Sequence, residues 1–186
     1  MHRDIDRVLI SQYQIMARIK EMAEQITRDH LDPGTPSGEI TIVPILTGAM
    51  IFCGDLIRQL PMKMKIGLMT VSSYPGQSIR TQGSQIVGQQ LGDIHGRHIL
   101  LVDDILDSGG TVQLVVPILH ELGAASVKVC VLLRKDRPAA KATHCDYVGF
   151  EIPDEFVVGY GLDYNDYYRN LPDIVTLRQD VIAKQA

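Results

Sequence analysis

The chain has 186 residues, of which 45% are hydrophobic and 22% are charged, and this composition is that of one ordinary globular domain. Its net charge of −4 argues against a general nucleic-acid binder, because such proteins carry a basic surface that neutralises phosphates. No apolar run reaches the ~18 residues that a membrane span needs, and the charged N-terminus has no apolar signal core, so we expect a cytoplasmic protein without a membrane partner.

The first third of the chain predicts a helix followed by a strand, a helix and a strand. Apolar residues recur at intervals of three and four over about 11–30, which predicts a helix with Ser11 as its N-cap. The continuous apolar run Ile40–Leu46 predicts a buried strand. We predict a short helix at Ala49–Leu60 and a second strand at Met64–Ser73.

The middle of the chain contains a long polar loop and then the clearest structural unit. Residues 74–84 contain glycine and have no hydrophobic period, and loops of this length in a compact domain are usually functional or mobile. Strand His98–Val102, loop 103–110, helix Thr111–Leu122 and strand Val127–Leu133 follow in order. This succession is a βαβ unit, which predicts a parallel sheet with helices on its faces.

The last part of the chain has a different pattern, with short strands and many aromatic residues after about residue 145. We interpret it as a cap on the sheet. The sequence therefore predicts an α/β fold in a single domain over 1–186, with a central, mostly parallel sheet flanked by helices at about 38–145. A small hood is predicted from the N-terminal segment and about 146–186.

The segment Val102–Thr111, with the sequence VDDILDSGGT, carries the clearest chemical signal. A buried strand delivers Asp103 and Asp104 to its C-terminal end, where ligands bind in open parallel sheets. Residues 107–111 then lead into a helix N-terminus, where glycines, hydroxyls and the helix dipole favour an anion. Because carboxylates repel phosphate, the paired acids suit sugar hydroxyls or a divalent cation.

Each part of this segment also has an ordinary structural interpretation. Paired acids after a strand occur in receiver-like domains, and a Gly-Gly turn can merely connect a strand to a helix. The combination of both features, with hydroxyl groups at each end of the glycine pair, favours a phosphate-binding site.

This stretch resembles the motif by which type I phosphoribosyltransferases bind phosphoribosyl pyrophosphate (PRPP): two acids, two apolar residues, then Asp-Ser/Thr-Gly-x-Thr. Other segments are similar to those of the hypoxanthine-guanine phosphoribosyltransferases, in consistent order from about residue 40 to 177. The matching segments are the lysine segment 132–138, the base-binding segment 148–160, its continuations 162–165 and 168–171, and the start of a mobile lid at Ser73 and Tyr74.

The resemblance implies the type I phosphoribosyltransferase fold and an enzyme of purine salvage. Such an enzyme transfers the 5-phosphoribosyl group from PRPP to N9 of hypoxanthine or guanine, giving IMP or GMP and pyrophosphate. Its partners would be PRPP, hypoxanthine and guanine, its cofactor Mg²⁺, and its assembly a homodimer or homotetramer.

The resemblance also implies the role of each matching residue. Asp107 would be the catalytic base facing purine N7, Lys135 would meet the oxygen at C6, and Phe156 would stack on the purine. The implied PRPP and phosphate residues are Asp103, Asp104, Asp107, Ser108, Gly109, Gly110 and Thr111. The implied purine site consists of Lys135, Glu155, Phe156, Val157 and Asp163, with backbone groups acting near Val157. The implied pyrophosphate residues are Thr47, Gly48 and Arg169, and the implied metal ligands are Asp103, Asp104 and Asp163.

The sequence departs from the family pattern at Thr47, where relatives usually have Lys or Arg. Recognition of pyrophosphate by backbone amides would survive this change, whereas any role of a cationic side chain would not. The resemblance also predicts a cis or strained peptide bond between Leu46 and Thr47. Two alternatives stay open: another base in the same fold, such as xanthine or adenine, and a regulator that binds PRPP or nucleotide and controls transcription or RNA. Lys135 favours a 6-oxo group over a 6-amino group, and the acidic charge balance disfavours a regulator of transcription.

Overall fold

The computed structural model describes residues 3–30, 39–73 and 84–183. Its strands are β1 (Ile5–Ile10), β2 (Glu39–Leu46), β3 (Lys63–Ile66), β4 (Leu68–Ser73), β5 (Ser84–Gln90), β6 (His98–Leu106), β7 (Ser126–Lys135), β8 (Tyr147–Ile152), β9 (Val157–Val158) and β10 (Ile174–Leu177). Its helices are α1 (Gln12–His30), α2 (Met50–Ile57), α3 (Gly110–Glu121), α4 (Pro138–Ala142) and α5 (Gln179–Ile182). None of the helices in these described ranges has the length and apolarity that a membrane crossing requires.

The large sheet confirms the predicted parallel α/β fold. Its strand order is β5-β4-β2-β6-β7-β8, with β3 pairing along the first half of β2. All of these pairs are parallel except β4 with β5, which is antiparallel. The carboxyl ends of β2 and β6 therefore lie side by side, which is the edge where such sheets bind ligands.

The central strands contain continuous apolar runs, such as Ile99–Val102 in β6, because helices cover both faces of the sheet. Leu100 and Leu101 are neighbours in β6 and both are fully buried. Since side chains alternate between faces, Leu100 packs in a cluster with the apolar residues of α1 and α2, whereas Leu101 packs with those of α3. Strands covered on both faces show continuous rather than alternating hydrophobicity.

The N-terminus of α1 is fixed as the sequence predicted. The Gln14 amide donates to Ser11 Oγ at 3.4 Å, and the Ser11 amide donates to Gln14 Oε1 at 2.9 Å. This reciprocal arrangement is a capping box, which satisfies two amides that the helix cannot pair itself. The helix begins at Gln12, so Ser11 is its cap.

Three strand assignments differ from the prediction. The predicted strand Met64–Ser73 is two strands, β3 and β4, and Gly67 between them donates its amide to Ile42 O. β5 was not predicted, because most of its residues are exposed on an edge strand and lack an alternating pattern. β6 continues to Leu106, so Asp103 and Asp104 lie in the strand rather than in the predicted loop 103–110.

The terminal segments form a second, small sheet with the order β1-β10-β9, all antiparallel. This sheet corresponds to the expected hood, with one difference. Strand β8 falls within 146–186 but pairs with β7 in the large sheet. The residues predicted to form the lid, 74–84 with Tyr74, lie outside the described residues except for 84, and Ser73 is the last residue of β4.

Candidate active site

An open cleft of about 820 Å³ lies at the carboxyl ends of β2 and β6. One wall comes from residues 45–48 and the other from residues 103–112, and Thr70, Val71, Ser72 and Val87 add a side from β4 and β5. Asp163, Asp166 and Arg169 reach the cleft from the segment between β9 and β10. The cleft is therefore built by the large sheet together with the C-terminal part of the chain.

The turn between β6 and α3 is shaped as an anion-binding loop. Gly109 has a φ of +86° and is the N-cap of α3, a conformation that glycine adopts without steric cost. A Cβ on Gly109 would lie 2.0 Å from Thr143 Oγ1, so the position also lacks space for a side chain. Helix geometry leaves the amides of the first turn without intrahelical acceptors, and these amides point toward the cleft end of the helix.

Asp103 and Asp104 lie directly behind this loop at the end of β6. The amide of Asp104 donates to Asp103 Oδ1 at 3.0 Å, and the amide of Ile105 donates to Asp104 Oδ1 at 2.8 Å. Burial, together with the neighbouring Asp104 carboxylate, raises the pKa of Asp103, and burial raises the pKa of Asp104. Two such carboxylates favour a ligand that brings hydroxyl donors or positive charge.

The loop after β2 lies against the same carboxylates. The Leu46–Thr47 peptide bond is cis, as predicted. A Cβ on Gly48 would stand 1.9 Å from Asp104 Oδ2, and one on Gly161 would stand 2.2 Å from the Gly48 carbonyl oxygen. The backbone of this loop is therefore held between the end of β6 and the C-terminal segment, with its groups close to the acidic pair.

Arg169 and Asp163 form a further side of the cleft. Arg169 donates to the carbonyl of Gly161 at 2.8 Å, and its Nη2 lies 2.9 Å from Asp163 Oδ1. The same nitrogen lies 3.2 Å from Asp166 Oδ1. The guanidinium is thus fixed at the cleft wall beside two carboxylates, with a charge that suits an anionic ligand.

Asp107 connects the phosphate loop to a cluster of ion pairs at the end of β7. Its Oδ1 lies 3.4 Å from Lys135 Nζ and 2.7 Å from Arg137 Nη1. Asp154 Oδ1 lies 3.6 Å from the same lysine and 2.6 Å from Arg137 Nη2. Lys135 is 8% exposed, so a buried ammonium stands next to the carboxylate that the sequence predicts as the base.

The remaining predicted purine residues have different surroundings. Phe156 is 44% exposed, and its ring meets that of Tyr164 edge to face with centroids 5.3 Å apart, so a large part of this side chain is accessible to a ligand. The Val157 side chain is buried in β9 and can offer only backbone groups. Glu155 is paired with Arg7 of β1.

The cleft brings together the residues predicted for ribose, phosphate and pyrophosphate. These are Thr47, Gly48, Asp103, Asp104, Asp107, Ser108, Gly109, Gly110, Thr111, Asp163 and Arg169. Lys135, Glu155, Phe156 and Val157 do not line it. Lys135 nevertheless reaches the cleft residue Asp107 through its ion pair, whereas the carboxylate of Glu155 is directed to the small sheet.

Sequence reasoning missed three charged residues of the site. Arg137 and Asp154 form the ion pairs around Asp107 and Lys135, and Asp166 lines the cleft. Arg137 lies two residues after Lys135, and Asp154 lies two residues before Phe156, so proximity to predicted residues was the available signal. Charged residues at such positions are more often solvated, which is why they stood out only in three dimensions.

The acidic residues fit a metal ion that is held partly by substrate. Across 3–30, 39–73 and 84–183, no group of three or more His, Cys, Asp or Glu side chains is arranged to hold a cation by itself. Mg²⁺ commonly binds through one or two carboxylates plus phosphate oxygens of the substrate. The pair Asp103 and Asp104, and separately Asp163, satisfy that requirement.

Comparison with known proteins agrees with this geometry. The family model described as "phosphoribosyl transferase domain" matches residues 9–165. A hypoxanthine-guanine phosphoribosyltransferase of Mycobacterium tuberculosis is 42% identical over 176 residues, covering 94% of this chain and 87% of the relative. Another from Bacillus subtilis is 36% identical, covering 97% of this chain and 98% of the relative.

Solved structures of hypoxanthine and hypoxanthine-guanine phosphoribosyltransferases are also similar to this chain. A mutant hypoxanthine phosphoribosyltransferase of Trypanosoma cruzi, complexed with its product IMP, is 33% identical and superposes with a TM-score of 0.88, covering 100% of this chain and 96% of that one. A hypoxanthine-guanine phosphoribosyltransferase of Bacillus anthracis is 35% identical with a TM-score of 0.84, covering 94% of this chain and 100% of that one. The fold, the cleft and these matches together show that the chain belongs to the phosphoribosyltransferase family, in its hypoxanthine-guanine branch.

Proposed function

We propose that the protein makes purine nucleotides by transferring the 5-phosphoribosyl group of PRPP to N9 of hypoxanthine or guanine, releasing pyrophosphate. The observation that carries this proposal is the contact between Asp107 and Lys135 at the edge of the phosphate loop. A carboxylate and an ammonium side by side match the N7 and O6 groups of a 6-oxopurine. The loop next to them suits the 5′-phosphate of the same nucleotide.

The cleft is suited to bind PRPP at three places: the 5′-phosphate, the ribose and the pyrophosphate. The amides and hydroxyls of 108–111 would bind the 5′-phosphate, and Asp103 and Asp104 would accept hydrogen bonds from the ribose hydroxyls. The backbone of Thr47 and Gly48, with Arg169, would bind the pyrophosphate. These donors are fixed before the reaction, so they can stabilise the leaving anion without reorganising.

Mg²⁺ is the cofactor that this donor set supports, with Asp163 and the Asp103–Asp104 pair as its protein ligands. When bound, it would supply Lewis-acid stabilisation to the pyrophosphate. Arg169 would add a fixed positive charge on the same side. The Thr47 side chain carries no charge. Among the residues that we assign to pyrophosphate, only Arg169 therefore supplies a positive charge.

Asp107 would accept the proton that the purine loses as N9 bonds to C1′ of the ribose. A carboxylate within reach of N7 can do this work as a general base. Lys135 would donate to O6 and so withdraw negative charge from the ring as the proton leaves. Phe156, with its ring exposed beside Tyr164, would stack on the base.

A steady-state comparison of four bases with PRPP and Mg²⁺ tests this function. Lys135 can donate to a 6-oxo group but finds no acceptor on the 6-amino group of adenine. Sites built on one specific hydrogen bond reject analogues that lack it by ~10⁴ or more. We expect kcat/KM for hypoxanthine and guanine to exceed that for adenine by this order, with xanthine measured alongside; equal values for adenine and hypoxanthine would refute the assignment.

Two further expectations belong to this proposal. We expect a homodimer or homotetramer, and a soluble protein of the cytoplasm. A second solved structure of a Trypanosoma cruzi hypoxanthine phosphoribosyl transferase, with a TM-score of 0.90, comes from work on the role of its C-terminal region in oligomeric state and enzymatic activity. Sedimentation velocity of the purified chain would measure its assembly directly.

A further inference from the structure

Arg137 is the charged residue of the site that the roles above leave unexplained. Its guanidinium bridges two carboxylates, with Nη1 on Asp107 Oδ1 at 2.7 Å and Nη2 on Asp154 Oδ1 at 2.6 Å. Each side chain of this bridge is only partly exposed, at 38%, 46% and 45% for Arg137, Asp107 and Asp154. A planar guanidinium that contacts two carboxylates fixes their direction as well as their charge.

The position of Arg137 in the fold makes this contact rigid. Arg137 is the N-cap of α4, and its amide donates to the carbonyl of Lys135 at 2.8 Å. The next residue is Pro138, which begins the helix with a fixed φ. The backbone that carries the guanidinium is therefore held between the end of β7 and the start of a helix.

The other end of the same helix also contacts the phosphate loop. Thr143 is the C-cap of α4 and is buried, and its Oγ1 occupies the space where a side chain on Gly109 would be. Gln113 of α3 donates to the same oxygen at 3.4 Å. Helix α4 thus touches the loop at two points, through Arg137 at Asp107 and through Thr143 at Gly109.

We propose that Arg137 is a positioning residue that fixes the carboxylate of Asp107 for proton transfer, without itself contacting the purine. This inference depends on the proposed role of Asp107 as the base. The guanidinium engages Oδ1, so the second oxygen, Oδ2, is the one that turns to the purine. Asp154 fixes the orientation of the guanidinium, because it binds the other terminal nitrogen, Nη2.

The charge pattern supports the bridge as a stable unit. The hydrogen bond from Arg137 lowers the pKa of Asp154, and the hydrogen bond to Asp154 raises the pKa of Arg137. Both groups therefore keep their charges through the neutral pH range. Arg137 also adds a second cation beside Lys135, which offsets the two carboxylates in this part of the site.

A double-mutant cycle on Arg137 and Asp107 tests the proposal. Single-turnover formation of IMP is measured for wild type, Arg137→Ala, Asp107→Asn and the double variant, all with saturating PRPP and Mg²⁺. One lost hydrogen bond to a charged group is worth ~1.5 kcal/mol, so Arg137→Ala should slow the reaction about tenfold. In the Asp107→Asn background the same change should cost less than about twofold, because residues that act through one another are not additive.

Two further variants and one control separate this role from others. Arg137→Lys keeps the charge but loses the planar fork, so it should recover only part of the lost rate. Asp154→Asn should slow the reaction in the same direction as Arg137→Ala, by a smaller factor. Lys141→Ala removes another cation of α4, paired with Asp136, and should leave the rate unchanged.

Several outcomes would overturn the proposal while leaving the function intact. A faster reaction in Arg137→Ala would mean that the guanidinium obstructs Asp107. An equal loss in both backgrounds would mean a purely structural role, and a raised KM for hypoxanthine with an unchanged rate would mean direct contact with the base. Full recovery by Arg137→Lys would exclude positioning by the fork. Absence of turnover in the wild type would instead refute the proposed function itself.

Discussion

The two halves of the site, one for ribose and phosphate and one for the base, are built in different ways. The half assigned to ribose and phosphate comes from one continuous stretch, residues 103–111, in which a strand, a turn and a helix follow without interruption. The half assigned to the base is assembled from the end of β7, the start of β9 and the segment leading to Arg169. The first half is fixed by local backbone geometry, whereas the second depends on side chains that meet across the fold.

This difference shows in burial and charge. Asp103 is 7% exposed and sits in a strand whose neighbours are core residues. By contrast, the ion pairs of Asp154 and Arg137 involve side chains that are more than a third exposed. We infer that backbone geometry fixes the phosphate half, while ion pairs between side chains of different elements fix the base half.

The largest expected effect concerns Asp107, which belongs to both halves. Asp107→Asn keeps the shape of the side chain but removes the base, and a lost general base lowers a rate by ~10²–10⁴. Single-turnover measurements should show this loss, while titration with PRPP should change far less, because the amides and hydroxyls of 108–111 remain. The joint change of Asp103 and Asp104 to Asn is the comparison, since it should weaken PRPP and Mg²⁺ binding itself.

The account of Asp107 is wrong if the Asn variant turns over near the wild-type rate. It is also wrong if that variant loses PRPP binding as severely as the double change at Asp103 and Asp104. The first result would remove Asp107 from the proton transfer, and the second would assign it to PRPP binding.

A smaller effect is expected at Gly109, which belongs to the phosphate half alone. Alanine there must adopt a positive φ and place its Cβ 2.0 Å from Thr143 Oγ1, so the loop has to shift. Such backbone strain costs roughly 1–2 kcal/mol, and we expect PRPP affinity to fall about tenfold. Calorimetric titration with PRPP and Mg²⁺ measures the change.

Gly54→Ala is the matched control for that substitution. Gly54 lies within α2 and a Cβ there meets no atom within 4 Å, so PRPP affinity should stay at the wild-type value. If Gly109→Ala binds PRPP as well as this control does, the loop is not the phosphate site.

The smallest effect is expected on the free energy of unfolding, at a hydrogen bond that holds the segment after β9. The Tyr160 hydroxyl donates to Asp55 Oδ2 at 2.6 Å, linking the segment after β9 to α2, and burial raises the pKa of this tyrosine. Since a hydrogen bond to a charged group contributes ~1.5–3 kcal/mol and Asp55 is partly exposed, Tyr160→Phe should lower the free energy of unfolding by about 1–2 kcal/mol. Urea denaturation measures this, with the exposed Tyr13 changed to Phe as the control; equal stabilities for the two variants would contradict the link.

The same contrast explains what could be predicted from sequence. The strand, glycine turn and helix around Asp107 were recognisable because strand hydrophobicity and turn chemistry are local properties. The cis bond at Thr47 was also predicted correctly, from resemblance alone. The end of β6 was placed too early because Asp103 and Asp104 are polar, although the sheet continues through them.

The base half could not be derived in this way. Arg137 and Asp154 lie seventeen positions apart in the chain (137 to 154), and nothing in the residues between them indicates that they meet. Their pairing follows from the parallel register of β7 and β8, which brings Lys135 beside Ile152. Glu155 was assigned to the base by resemblance, but its carboxylate pairs with Arg7 of the small sheet. Long-range pairings of charged side chains carry no periodic signal.

A crystal structure of the protein with bound IMP tests the central claim most directly, because one nucleotide must contact both halves of the site at once. We predict that the 5′-phosphate contacts the amides of 108–111, that the N7 edge of the purine faces Asp107, and that O6 accepts a hydrogen bond from Lys135. A phosphate bound away from this loop, or a purine that lies beyond the reach of Lys135, would contradict the account.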